Sequence, residues 1–162
     1  MSTPPPPKPG IPQVLLDERQ SLPGMLPQEV VIFRAWWKAN AQNYTAADFN
    51  FRVGSGFDPG EKYDVAVRQS SVMSTQKRID ALLSGANGWQ IVEVKYRATP
   101  LVIGQITCYA LLWMRANPQA TQPKLLVLCA YTDADTRYCC DKLGIELQIV
   151  AADFAGIKIQ KQ

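Results

Sequence analysis

Three side chains near the middle of the chain have the types and spacing for chemistry: Asp80, Glu93 and Lys95. Glu93 and Lys95 stand two apart in WQIVEVKY (89–96), a run whose β-branched and aromatic content reads as a strand. Alternation along a strand sends Glu93 and Lys95 to one face and Val92 and Val94 to the other, which holds a carboxylate and an amine side by side. Just upstream, Ser-Gly-Ala-Asn-Gly (84–88) is a hairpin signal that folds a strand over 76–83 back against it. Two registers are open. A loop over 85–88 pairs Ser84 with Trp89 and sets Asp80 across from Glu93 and Arg78 across from Lys95. A loop of Asn87 and Gly88 alone pairs Ala86 with Trp89 and sets Asp80 across from Lys95. Either register gathers the three residues on one face.

Two carboxylates this close repel, and a divalent cation is the simplest way to neutralise both. Mg²⁺ is the natural ion, with Mn²⁺ able to stand in. Two protein carboxylates leave it waters and open positions for phosphate oxygens, as at phosphoryl-transfer sites. A water activated there beside Lys95 can attack phosphorus, and the ammonium lies where negative charge grows. The competing reading is a solvated salt-bridge ladder. Against it, Glu93 and Lys95 interrupt an apolar strand, where an unpaired charge costs several kcal/mol.

Composition narrows the alternatives. The chain has no histidine, which removes Ser-His-Asp and Cys-His catalysis, imidazole bases and His-containing zinc sites. Its four cysteines form no CxxC pair, in keeping with a reducing, cytoplasmic setting. A net charge of +3 permits a polyanionic partner without announcing one. The first residues show no basic-then-apolar pattern, so secretion is not expected, and the longest apolar stretch, 101–114, is too short to span a bilayer, so no membrane segment is expected. With 47% apolar and 19% charged residues, 162 residues make one ordinary domain.

The elements that must position the three residues follow from periodicity. Residues 1–27 hold eight of the twelve prolines and read as an extended proline-rich arm outside the core, with the domain proper over 28–162. A helix is expected over 28–41, a loop with a short strand near 49–53 in the region 43–63, and strands over 63–68, 76–83 and 89–96. Thr99 and Pro100 open a helix through Ala116 that is apolar nearly all round and therefore expected to be buried. A strand over 124–131, a helix over 133–143 stopped by Gly144, and a strand over 145–150 complete the chain. Such an order builds an α/β fold, a central mixed sheet flanked by helices.

The order of a first helix, Arg-Ile-Asp80, Glu93-Val94-Lys95 and a helix containing Gln105-Ile106-Thr107-Cys108-Tyr109 resembles the PD-(D/E)XK nuclease superfamily, in its QxxxY variety. The resemblance covers 28–150, with Ile79 where the motif's name has proline. It implies a restriction-endonuclease-like core and a Mg²⁺-dependent DNA nuclease. Asp80, Glu93 and the Val94 carbonyl are implied as metal ligands, with Glu29 of the first helix as a further acid near the metal. Lys95 is implied as the catalytic lysine, with Gln105 and Tyr109 reaching toward the metal site and the DNA backbone. Some relatives of this variety hold an iron-sulfur cluster, but the cysteine positions here do not fit one, and no cluster is expected.

Lys62, Arg68, Lys77, Arg78 and Arg97 surround the triad in sequence and are candidates for phosphate contacts. The glycines of 54–60 do not meet phosphate-loop spacing. A second reading keeps the nuclease fold but makes the chain a structural or assembly component, for example of a phage virion. In that reading residues 1–27 dock it to a protein partner or to further copies of itself.

Overall fold

The computed structural model describes Gly10, Pro12 and residues 20–161. Most of the proline-rich arm expected over 1–27 lies outside the described residues. One five-stranded sheet runs in the order β1 (Ala46–Val53), β2 (Lys77–Gly85), β3 (Gly88–Ala98), β4 (Lys124–Thr132), β5 (Ile145–Ile149). The first three strands pair antiparallel and the last three parallel, so the sheet is mixed and the chain is α/β. Parallel neighbours require a crossover. Helices α3 (Leu101–Ala116) and α4 (Ala134–Lys142) supply the two, while α1 (Pro27–Asn40) precedes the sheet and α2 (Val65–Thr75) joins β1 to β2.

Each face of the sheet has its own core. Ile32, Phe33, Trp36 and Trp37 of α1 pack over Ala81, Leu83, Val92, Val94, Leu126 and Leu128. On the other face Ile106, Tyr109 and Trp113 of α3 cover Leu82, Ile91 and Val127, and Cys140 brings α4 to the same side. Covered on both faces, β3 and β4 are nearly continuous apolar runs, which is why the acid in the middle of β3 stands out.

Of the two hairpin registers the structure takes Ser84 with Trp89, and Gly85 pairs with Gly88 around a two-residue turn of Ala86 and Asn87. Gly88 has φ +88°, which a two-residue turn accommodates through glycine. Pairing between β2 and β3 ends at Ala81–Val92, and beyond that rung the strands part.

Four expectations change. The strand over 63–68 is replaced by α2: Asp64 caps it by accepting the Val67 N–H at 2.9 Å, and no residue of this helix is buried. Val-Ala-Val suits a strand, but without a neighbouring strand to pair with, the cap decides. Helix α3, apolar nearly all round as expected, is not buried all round, since Leu101, Cys108 and Leu111 face solvent. The short strand near 49–53 extends back to Ala46 and is a full member of the sheet. Finally, Leu22 and Met25, placed in the arm, are buried against α1, so the packed domain reaches back ahead of residue 28. Among the described residues no helix is long and apolar enough to cross a membrane.

Candidate functional site

Where β2 and β3 part, the acids meet. The Oδ2 of Asp80 accepts the backbone N–H of Val94 at 2.8 Å, so the carboxylate takes the place that a β2 carbonyl holds in a continued ladder. Glu93, one residue earlier on β3, is fully buried. Lys95 Nζ lies 2.7 Å from Glu93 Oε1 and 3.9 Å from Glu29 Oε1. Beyond that ion pair neither carboxylate oxygen of Glu93 has a hydrogen-bond donor among the described residues. A buried carboxylate with unfilled acceptor sites is costly.

Glu29 approaches from α1. Its Oε2 accepts the Leu26 N–H at 2.7 Å, tying off the start of the helix, and its other oxygen is turned toward Lys95. From the opposite face, Gln105 Nε2 donates to the Tyr109 hydroxyl at 2.9 Å, joining one turn of α3 to the next. Tyr109 is buried and close enough to feel the charges of Glu93 and Asp80. The fold thus brings together Asp80, Glu93, Val94 and Lys95, with Glu29 touching the group through Lys95 and Tyr109, bonded to Gln105, within electrostatic reach of it.

The electrostatics fit a site short of positive charge. Burial pushes the Asp80 carboxyl well above its ordinary range, and the neighbouring Glu93 charge pushes the same way, against the pull of Lys95 and the Val94 N–H. Burial likewise raises Glu93 to about 7, against the pull of Lys95. Burial works to lower Lys95, but Glu93 and Asp80 outweigh it, and the ammonium is held charged. Tyr109 is raised, first by burial. Among the described residues no three His, Cys, Asp or Glu side chains close on a point as a ready-made cage. The carboxylates of Asp80 and Glu93 are hard oxygen donors of the kind that suits Mg²⁺ keeping several of its waters.

The chain matches no family model and no curated protein. Among solved structures it is similar to the crystal structure of a protein of unknown function, AF1548, at 13% identity with a TM-score of 0.45, over 72% of this chain and 56% of that one. The chain therefore spans little more than half the length of that protein, and a likeness of this degree carries no functional argument.

The basic residues divide. Arg68 is committed to Asp58 through a two-pronged pair at 2.9 and 2.7 Å, and Lys62 lies over the ring of Tyr63. Lys77, Arg78 and Arg97 are exposed near the acid cluster. Sequence reasoning missed Arg52, which pairs directly across from Arg78 on adjacent strands. Both are exposed, and among the described residues neither has a carboxylate partner. Like charges on one rung repel, an arrangement that an anion between them relieves. The β1–β2 register was the signal that could have revealed it. A cleft lined by Trp36, Tyr44, Trp89, Gln90 and Gln148 lies at the other end of β3, away from the acids.

Proposed function

We propose that the chain is a Mg²⁺-dependent DNA nuclease built on a restriction-endonuclease-like core of the PD-(D/E)XK type. The observation that carries this reading is Glu93: a wholly buried carboxylate beside Asp80, with a lysine at 2.7 Å and acceptor sites otherwise unfilled. Asp80, Glu93 and the Val94 carbonyl are the residues to hold the ion, which when bound supplies charge neutralisation and activation of water for attack on a phosphodiester.

The chain's own residues do the rest. Lys95, kept charged by its acidic neighbours, sits where it can orient a water and stabilise the charge that builds on phosphate oxygens. Gln105 and Tyr109, bonded to each other on α3, are the residues to reach toward the metal site and the DNA backbone, and Glu29 lies 3.9 Å from the Lys95 ammonium. Arg52, Arg78, Lys77 and Arg97 are exposed at this end of the sheet and suit phosphates on either side of the cut.

The deciding experiment is incubation of linear, circular and single-stranded DNA with the protein and Mg²⁺ or Mn²⁺, beside Lys95→Ala and beside a chelator. Cleavage by the wild type that is lost in both controls is the expected result. A folded wild type that leaves all three substrates intact, or a Lys95→Ala protein that cuts as well as wild type, ends the proposal.

A further inference from the structure

In a regular strand Phe49 and Phe51 would face the same way. Instead Phe49 packs with the α1 side of the sheet and Phe51 with the α3 side. The neighbouring strand does the same, with Ala81 on the α1 side and Ile79 on the α3 side. Both reversals fall on one rung, Asn50 opposite Asp80, which is the gap in a register otherwise continuous from Ala46↔Ser84 to Val53↔Lys77. Asn50 has φ +55°, the one positive value at a non-glycine among the described residues.

A residue whose two neighbours face opposite sides is itself aimed along the sheet and not into either core. For Asp80 that direction is toward β3, where its carboxylate meets the Val94 N–H at 2.8 Å. Asparagine is the side chain suited to the rung, because it tolerates the left-handed region far better than most residues. Its amide is seated against Gly24, where an added Cβ would come within 2.8 Å of Asn50 Oδ1. Gly24 itself lies three residues before α1, the helix that carries Glu29.

We infer that Asn50 is a positioning residue: its left-handed backbone turns β1 and β2 over together, and so aims the Asp80 carboxylate in the plane of the sheet at the acid cluster. The purpose of that aim rests on the nuclease reading, but the aim itself can be read without metal. Asn50→Gly leaves the left-handed backbone freely available while deleting the side chain, whereas Asn50→Ala disfavours it.

The test is the Val94 amide in the ¹⁵N–¹H spectrum of the metal-free full chain, with Asp80→Ala marking where that signal goes when its acceptor is lost. Asn50→Gly should keep the wild-type Val94 shift and slow exchange. Asn50→Ala should move Val94 toward the Asp80→Ala position and speed its exchange about tenfold, with β4 and β5 amides unchanged. Gly24→Ala presses on Asn50 from outside and should displace Val94 in the same direction. A Val94 signal unmoved in both alanine variants, or moved as far by Asn50→Gly as by Asn50→Ala, overturns the inference. Mn²⁺ titration of the same samples separates the two proposals. A roughly tenfold weaker affinity in Asn50→Ala extends the positioning to the metal. A wild type showing the Val94 pattern but no Mn²⁺ binding sinks the nuclease reading and leaves the role of Asn50 standing.

Discussion

Glu93 ties the protein's stability to pH. A glutamate in the unfolded chain titrates near 4.5, and in the fold Glu93 titrates near 7. Between those values the folded chain keeps a proton that the unfolded chain has released, so stability without metal falls as pH rises across that window and levels off above it. Asp80, raised for the same reasons, acts in the same direction. Thermal unfolding in chelator should therefore give a lower Tm at pH 8 than at pH 5. Glu93→Gln, which has no charged form, should flatten that difference. Added Mg²⁺ should restore the loss at pH 8 and do little at pH 5, where protons already neutralise the acids. A Tm in chelator that rises between pH 5 and pH 8 would contradict this account of the buried carboxylates.

Among the elements, α2 and α3 are opposites. Helix α2 buries no side chain, and eleven residues held mainly by bonds to the 57–58 segment are a marginal helix in water. Helix α3 sinks Val102, Ile106, Tyr109 and Trp113 into the core. Val65→Ala should change stability by less than about 0.5 kcal/mol, whereas Trp113→Ala should cost roughly 3–5 kcal/mol, as measured by denaturant unfolding. Hydrogen exchange should likewise find α2 amides open long before those of α3. The same contrast explains what the sequence disclosed. Strands β3 and β4 were legible because burial on both faces leaves nearly continuous apolar runs rich in β-branched and aromatic residues, and Ser84–Gly88 announced the hairpin that sets Asp80 near Glu93. Helix α2 was not legible, since Val-Ala-Val favours a strand locally and only the missing strand partner and the Asp64 cap say otherwise. Nor were the reversal at Asn50 and the Arg52–Arg78 rung, both of which exist only once β1 and β2 are paired. Leu22 and Met25 were hidden among prolines, and nothing in local periodicity marked them as core.

At the scale of the whole molecule a net charge of +3 is modest, so its distribution matters more than its size. Arg52 and Arg78 oppose each other on the rung two residues from Asp80, and this sets positive charge at the same end of the sheet as the acids. If that rung contacts phosphates, Arg52→Ala and Arg78→Ala should each lower the slope of log affinity against log salt by about one, in DNA binding measured with Ca²⁺ or without metal. Unchanged slopes would assign the pair no part in binding. The two-residue turn at Ala86–Asn87 has a consequence in time as well as in space. It makes β2 and β3 neighbours in sequence, and such hairpins close in microseconds, whereas the parallel strands β4 and β5 must each wait for a helix to return the chain. Asp80 and Glu93 are thus drawn together while both are still hydrated and water blunts their repulsion. Their dehydration needs α1 and α3, whose packing onto the sheet involves contacts more distant in sequence.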